Sequence, residues 1–242
     1  MTLAQMTTRV SQRLGESGGA TYYPVPEIHG ALNEGLRLFC LATLCMEKTA
    51  TWTPAATWTH MMTVFSDWVC ILRIQDSLGR KIRPCTLPEL IALDDLWIFS
   101  TGTTTRYVSL GADLIGIYPT NNGQLTVTYA ATHPAITLDT DVPLIPEEYH
   151  AELIKFALYR LRQVEGANEF AKTLPLLGEF LDACEKFGTY VRGRNLGSRY
   201  DKPAFELAKF DRSKLLTFRT AEMMPATEAA GGTGTLPLKE AA

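Results

Sequence analysis

Long apolar runs are missing from this chain. No segment approaches the roughly 18–20 residues that a membrane-spanning helix requires, so no membrane partner is expected. The amino terminus, MTLAQMTTRVSQRL, has no apolar core of the kind a secretion signal carries, and a cytosolic origin is expected. Histidine is sparse: His29, His60, His133 and His150 stand apart, none four residues from another, and no CxxC occurs. Metal-ligand spacing is therefore lacking. P-loop, GxGxxG and GxSxG patterns are absent as well, which removes the phosphate-cradling and nucleophile-elbow signatures, and no cofactor is implied. Cysteines are few and odd in number, at Cys40, Cys45, Cys70, Cys85 and Cys184, and they read as reduced, mostly buried thiols.

What is present is ordinary in bulk and uneven in placement. The 242 residues, 46% apolar and 20% charged, suit one large domain or a domain with an elaborated insertion. Net charge is -3, yet Lys186 to Arg219 carries nine basic side chains against Asp201, Glu206 and Asp211. That segment is about +6, which leaves about -9 for the rest, and it points to a negatively charged partner.

The elements follow from periodicity and punctuation. Leu3, Met6, Val10 and Leu14 recur at helical spacing before Gly15. ESGGATYY is a loop. A second helix opens at Pro24 to Glu27, carries the stripe Ile28, Leu32, Leu36 and Phe39, and is expected to end near Lys48. Residues 1–49 thus read as a helical hairpin. Residues 50–137 change to Thr, Trp, Val and Ile with turn residues between, a β-rich insertion. Within it, MTVFSD reads as a strand. CILRIQDSLGRKIRPC reads as a hairpin, with Ile71 and Ile74 leading in and Ile82 returning. Thr86 and Pro88 start a short helix. Strands are expected near Thr105–Ser109, Leu114–Tyr118 and Leu125–Tyr129, the last after an Asn-Asn-Gly turn.

The most strongly patterned stretch is Leu144–Gly166. Pro146 stands at its start, Glu147 and Glu148 in its first turn, and Leu153, Ile154, Ala157, Leu158 and Leu161 along one face. A further helix spans Glu169–Val191, with Pro175 inside it predicted to kink or break it. Residues 138–196 form a second helical pair, and 197–242 an extended basic, aromatic arm and tail. The fold class expected is α+β: a bundle of about four main helices with a β-rich insertion between the second and third, and a C-terminal arm.

Catalytic constellations find little support. His150 with Glu147 and Glu148 reads as a helix first turn. Asp94 and Asp95 beside Trp97 read as loop carboxylates ending a short helix, and only superficially as a sugar-contacting set. The feature above background is the C-terminal interleaving of Arg and Lys with Tyr and Phe. It suits an arm that anchors aromatics in a partner, or a module that stacks bases and neutralises phosphates.

Taken in order, these pieces resemble the tailed-bacteriophage head-to-tail connector (adaptor) family, the head-completion proteins that dock beneath the portal. The resemblance is carried by the short first helix, YYPVPEIHGALNEGLRLF, then LPELIALDDLWIFSTGTTTRYVSLGADLIGIYP and LTVTYAATHPAI, and DVPLIPEEYHAELIKFALYRLRQVEG with the helix after it. It covers about residues 1–195. It departs at Val25-Pro26, where a Ser or Thr cap is usual. What it implies is a non-enzymatic virion protein at the head–tail junction, assembled in the host cytoplasm. It further implies a ring of twelve copies around a DNA channel, with the portal above and a tail or nozzle protein below. Arg192, Arg194, Arg199 and Arg212 are then expected as polar contacts, and Tyr200, Phe205 and Phe210 as apolar anchors, for the portal or neighbouring protomers. The alternative is a nucleic-acid-binding module built on the same segment.

Overall fold

A computed structural model of the chain describes residues 1–15, 22–111, 113–121, 123–163 and 167–195. Six α-helices and seven strands run in the order α1 (Leu3–Leu14), α2 (Val25–Thr43), β1 (Glu47–Trp52), β2 (Trp58–His60), α3 (Met61–Val64), β3 (Trp68–Gln75), β4 (Lys81–Cys85), α4 (Leu87–Leu93), β5 (Arg106–Leu110), β6 (Leu114–Tyr118), β7 (Leu125–Ala131), α5 (His150–Arg162) and α6 (Ala167–Asn195).

The helical half is built as its periodicity requires. Thr2 caps α1 in a capping box with Gln5, and Gly15 ends it in the left-handed conformation at φ 82°. The first amides of α1, which no helical partner can reach, donate to loop carbonyls instead: Leu3 N–H to the Asp141 carbonyl at 2.8 Å and Ala4 N–H to the Asp139 carbonyl at 3.1 Å.

 Pro24 precedes α2 without a side-chain cap, and Pro26 lies in the first turn, where its missing N–H costs nothing.

Helices α1, α2, α5 and α6 share one core. Leu3, Met6 and Val10 of α1 meet Ile28, Leu32, Leu36 and Phe39 of α2, Leu153, Ala157 and Leu161 of α5, and Phe180, Cys184 and Phe187 of α6. Polar ties align the pairs. Arg160 of α5 bridges to Glu34 of α2 at 2.9 Å, and Lys155 of α5 bridges to Glu179 of α6 at 2.8 Å. Pro175, expected to kink or break the last helix, lies inside α6, which continues on both sides of it, so it marks no break. Ile136 and Ile145 of the connection from β7 are buried in the same core, and Asn33 of α2 clamps that connection. Its Nδ2 donates to the Ile136 carbonyl at 2.9 Å, and its Oδ1 accepts from the Ile136 amide at 2.8 Å.

The expected four-helix bundle with a β-rich insertion is overturned by the other half. The seven strands form one curled, mixed sheet in the order β1-β7-β3-β4-β5-β6-β2, a principal layer with its own core. Trp52, Met61, Trp68, Ile71, Ile74, Ile82, Ile115, Ile117, Val127 and Tyr129 are buried there. All neighbouring strands are antiparallel except β4 and β5, which run parallel and are joined through α4. Two local expectations fail with it. The second helix stops at Thr43, and Lys48 lies in edge strand β1. The stretch read as a strand at MTVFSD begins as the short helix α3.

The hairpin expected through Ile71, Ile74 and Ile82 is formed by β3 and β4, with Ile74 opposite Ile82, and the register of β3 against β7 shows how its apolar residues share one face. Trp68, Ile71 and Ile74 are three apart, a spacing that throws alternate residues of a regular strand onto opposite faces. Irregularities between Trp68 and Cys70 and between Ile71 and Arg73 each take up one residue. They bring Trp68 opposite Ala131, Ile71 opposite Tyr129 and Ile74 opposite Val127, all on the buried face.

Candidate assembly surfaces

The seven residues expected to carry contacts divide sharply. Arg192 and Arg194 lie on the last turns of α6. Arg199, Tyr200, Phe205, Phe210 and Arg212 lie outside the described residues.

Close to the end of α6 is an open groove of about 560 Å³, lined by Cys45, Glu47, Pro146, Glu148, Tyr149, Phe187, Tyr190 and Val191. Its wall is a row of rings: Tyr149 and Phe187 are 4.7 Å apart, and Phe187 and Tyr190 6.1 Å apart. Tyr190 is 58% exposed, although its neighbour Phe187 is buried against Phe39. The rim carries the carboxylates Glu47 and Glu148, both exposed. Burial, then the nearby Glu148 charge, pushes the Tyr149 hydroxyl pKa up.

Cys45 opens onto this groove, and its sulfur lies 3.9 Å from that of Cys40. The Cys40 thiol is buried and its pKa is pushed up, chiefly by this sulfur contact and then by burial. The same contact lowers Cys45 to about 7, so Cys45 is the more nucleophilic of the two.

A second surface lies on the sheet half. In the stretch from α4 to Phe99, Leu90 and Trp97 are buried, whereas Ile91, Leu93, Leu96, Ile98 and Phe99 are exposed. Trp97 packs edge-on against Trp58 at 5.0 Å. Asp94 holds the turn together: its carboxylate accepts from the Leu96 amide at 3.0 Å, the Tyr118 hydroxyl at 3.1 Å and the Ser100 hydroxyl. These bonds, the one from Ser100 foremost, keep its pKa below the usual value. Asp94 and Trp97 are thus structural, and the sugar-contacting arrangement is not formed.

His150 is likewise structural. It is buried at the start of α5, with Nε2 3.1 Å from the Ile145 carbonyl and Nδ1 2.9 Å from the Met1 nitrogen, which also meets Glu147 at 3.3 Å. Among the described residues no group of three or more His, Cys, Asp or Glu side chains is placed to hold a metal ion. No helix among them is long and apolar enough to cross a membrane.

Sequence reasoning missed both surfaces. The groove is assembled from three separated segments, and Phe187 and Tyr149 look like core residues in the sequence. The α4 surface did leave a signal: LIALDDLWIF holds more large apolar residues than a two-turn helix can bury.

No curated protein matches the chain. Residues 1–184 match the model of the family described as SU10 adaptor protein, and the chain therefore belongs to that family of phage head–tail adaptors, which are structural proteins and not enzymes.

Proposed function

We propose that this protein is a head-to-tail adaptor that forms a ring beneath the portal, joins portal to tail and lines the passage for DNA. The observation that carries the reading is the family match over residues 1–184, which implies contact with phage portal and tail proteins and a place in the virion. Two further features support it. A ring of identical copies needs two different surfaces on each protomer, and the described residues present an acidic aromatic groove and an apolar α4 surface. The match also ends at residue 184, just before the +6 segment begins at Lys186.

In this reading twelve copies assemble in the host cytoplasm. Arg192, Arg194, Arg199 and Arg212 make polar contacts to the portal or a neighbouring protomer, and Tyr200, Phe205 and Phe210 anchor the arm. The working division for truncations is 1–49, 50–137, 138–196 and 197–242.

The test is co-sedimentation of the full chain with purified portal rings, beside the charge-reversed variant R192E/R194E. Portal binding by the native chain and its loss in the variant is the expected result. Equal binding by both removes these arginines from the interface. Binding to duplex DNA that falls steeply with salt, with none to portals, would favour the nucleic-acid reading instead.

A further inference from the structure

We propose that Cys40 and Cys45 form a redox-active dithiol, which a small-molecule disulfide of the glutathione class closes into a Cys40–Cys45 bond that clasps the joint between α2 and β1. The end of α2 puts the two thiols together. Leu44 caps the helix in the left-handed conformation, at φ 54°, and its amide donates to the Cys40 carbonyl at 2.8 Å. Such a cap folds the chain back, so that the residue after it lies over the residue whose carbonyl is bonded, here Cys45 over Cys40. Their sulfurs are 3.9 Å apart, and side-chain rotation is what remains to bring them to the length of about 2 Å in a disulfide. Among the described residues Leu44 is the only non-glycine residue with a positive φ, so this turn is held by its surroundings and not by its own preference.

Access separates the roles of the two thiols. Cys45 is half-buried and lines the open groove, whereas Cys40 is fully buried. With its pKa at about 7, about half of Cys45 is thiolate at neutral pH, against a few per cent of an ordinary cysteine. Burial raises Cys85 and pushes Cys70 up to about 11 and Cys184 up to about 12, so those three stay protonated. The Cys45 thiolate attacks one sulfur of the reagent RS–SR, and RS⁻ leaves as the Cys45–SR bond forms. The Cys40 sulfur then attacks the Cys45 sulfur, and its proton passes to the second RS⁻ as that leaves. Two protein thiols and one small disulfide thus give one protein disulfide and two RSH; the protein is oxidised by two electrons and the reagent is reduced by two.

The clasp falls where the helical and sheet cores meet. Met46, the next residue, packs against both cores, and its carbonyl accepts from the Ala131 amide of β7 at 2.8 Å. Strand β1 begins one residue further on, with Glu47 opposite Ala130 of β7. Closing the disulfide ties the last turn of α2 to the first residue beyond its cap, and so stiffens the crossing from helix to sheet.

The experiment treats the reduced full chain with excess oxidised glutathione, blocks the remaining thiols with iodoacetamide and reads tryptic peptides by mass spectrometry. Cleavage after Arg37 and Lys48 leaves both cysteines in one peptide, LFCLATLCMEK, and Cys184 in another. The expected product is that peptide two hydrogens lighter than its reduced form and carrying no alkyl group. C40A is expected to stop at a glutathione adduct on Cys45, and C45S to form neither adduct nor bond. Hydrogen exchange at the Leu44 and Ala131 amides of the native chain is expected to slow on closure. A peptide that keeps both thiols and is alkylated twice would overturn the proposal. So would a glutathione adduct that persists on Cys45 in the native chain, or a cross-link from Cys45 to Cys184. Closure with unchanged exchange at both amides would overturn the clasp at the joint. No portal is present in this experiment, so its failure leaves the adaptor reading untouched.

Discussion

Gly35 of α2 lies directly under the ring of Phe156 of α5: a Cβ at Gly35 would stand 2.7 Å from Phe156 Cδ1 and 3.2 Å from Cγ. Phe156 is buried and also packs against Phe180, with ring centres 4.9 Å apart, so it has little room to withdraw. Gly35→Ala should therefore push α2 and α5 apart and cost about 1–3 kcal/mol, in spite of alanine's higher helix propensity. Gly30, on the same helix, has nothing within 4 Å of its Cβ position. Gly30→Ala should raise stability by up to about 1 kcal/mol. Thermal unfolding of the two variants checks this, and a shift of the same sign in both would contradict it.

The Asn33 clamp predicts a cost of a different kind. Asn33→Ala leaves the amide and carbonyl of Ile136 without their partner, where the connection from β7 enters the helical core. A loss of about 1–3 kcal/mol is expected in denaturant unfolding. Asn33→Asp should recover only part of it, because a carboxylate accepts from the Ile136 amide but cannot donate to its carbonyl.

Acid should loosen the same junction through two histidines. Burial lowers the pKa of both His133 and His150 from the ordinary 6.5. His133 accepts from the Leu144 amide through Nε2 at 2.8 Å, a bond that protonation removes. A histidine whose folded pKa is depressed contributes stability that is complete above its unfolded value and is lost as pH falls towards its folded value. Stability should thus begin to fall as pH drops below about 6.5, before the carboxylates titrate. Melting temperatures between pH 7.5 and 5 check this, and H133Q/H150Q should flatten the slope in that window.

The α4 surface separates folding from assembly. Leu96 and Phe99 are 66% and 79% exposed, so L96S/F99S should change stability by no more than about 0.5 kcal/mol. Assembly with portal or with further copies should weaken, as sedimentation would report. Unchanged assembly would remove this surface from the interface.

The helices were legible because their signals are local. Thr86 with Glu89, Gly15 after Leu14, and the stripe from Leu153 to Leu161 each fall within a few turns of chain. Strands β3 to β7 were legible for the same reason, but the order in which they join into one sheet was not, because its logic is distant. Strand β1 is the polar sequence EKTATW, mostly exposed, and it becomes a strand by pairing with β7 nearly 80 residues later. Strand β3 hides its alternation behind two irregularities, and the parallel pairing of β4 with β5 leaves no mark in either segment. The groove shares that character, since Cys45, Tyr149 and Tyr190 meet only after folding.

The most direct test of the adaptor account is the mass of the full chain in solution, alone and then mixed with portal rings. The account predicts a portal complex heavier than the bare ring by a whole multiple of 26.8 kDa, one chain for each copy in a closed ring. A portal mass that does not change when the protein is added would contradict it.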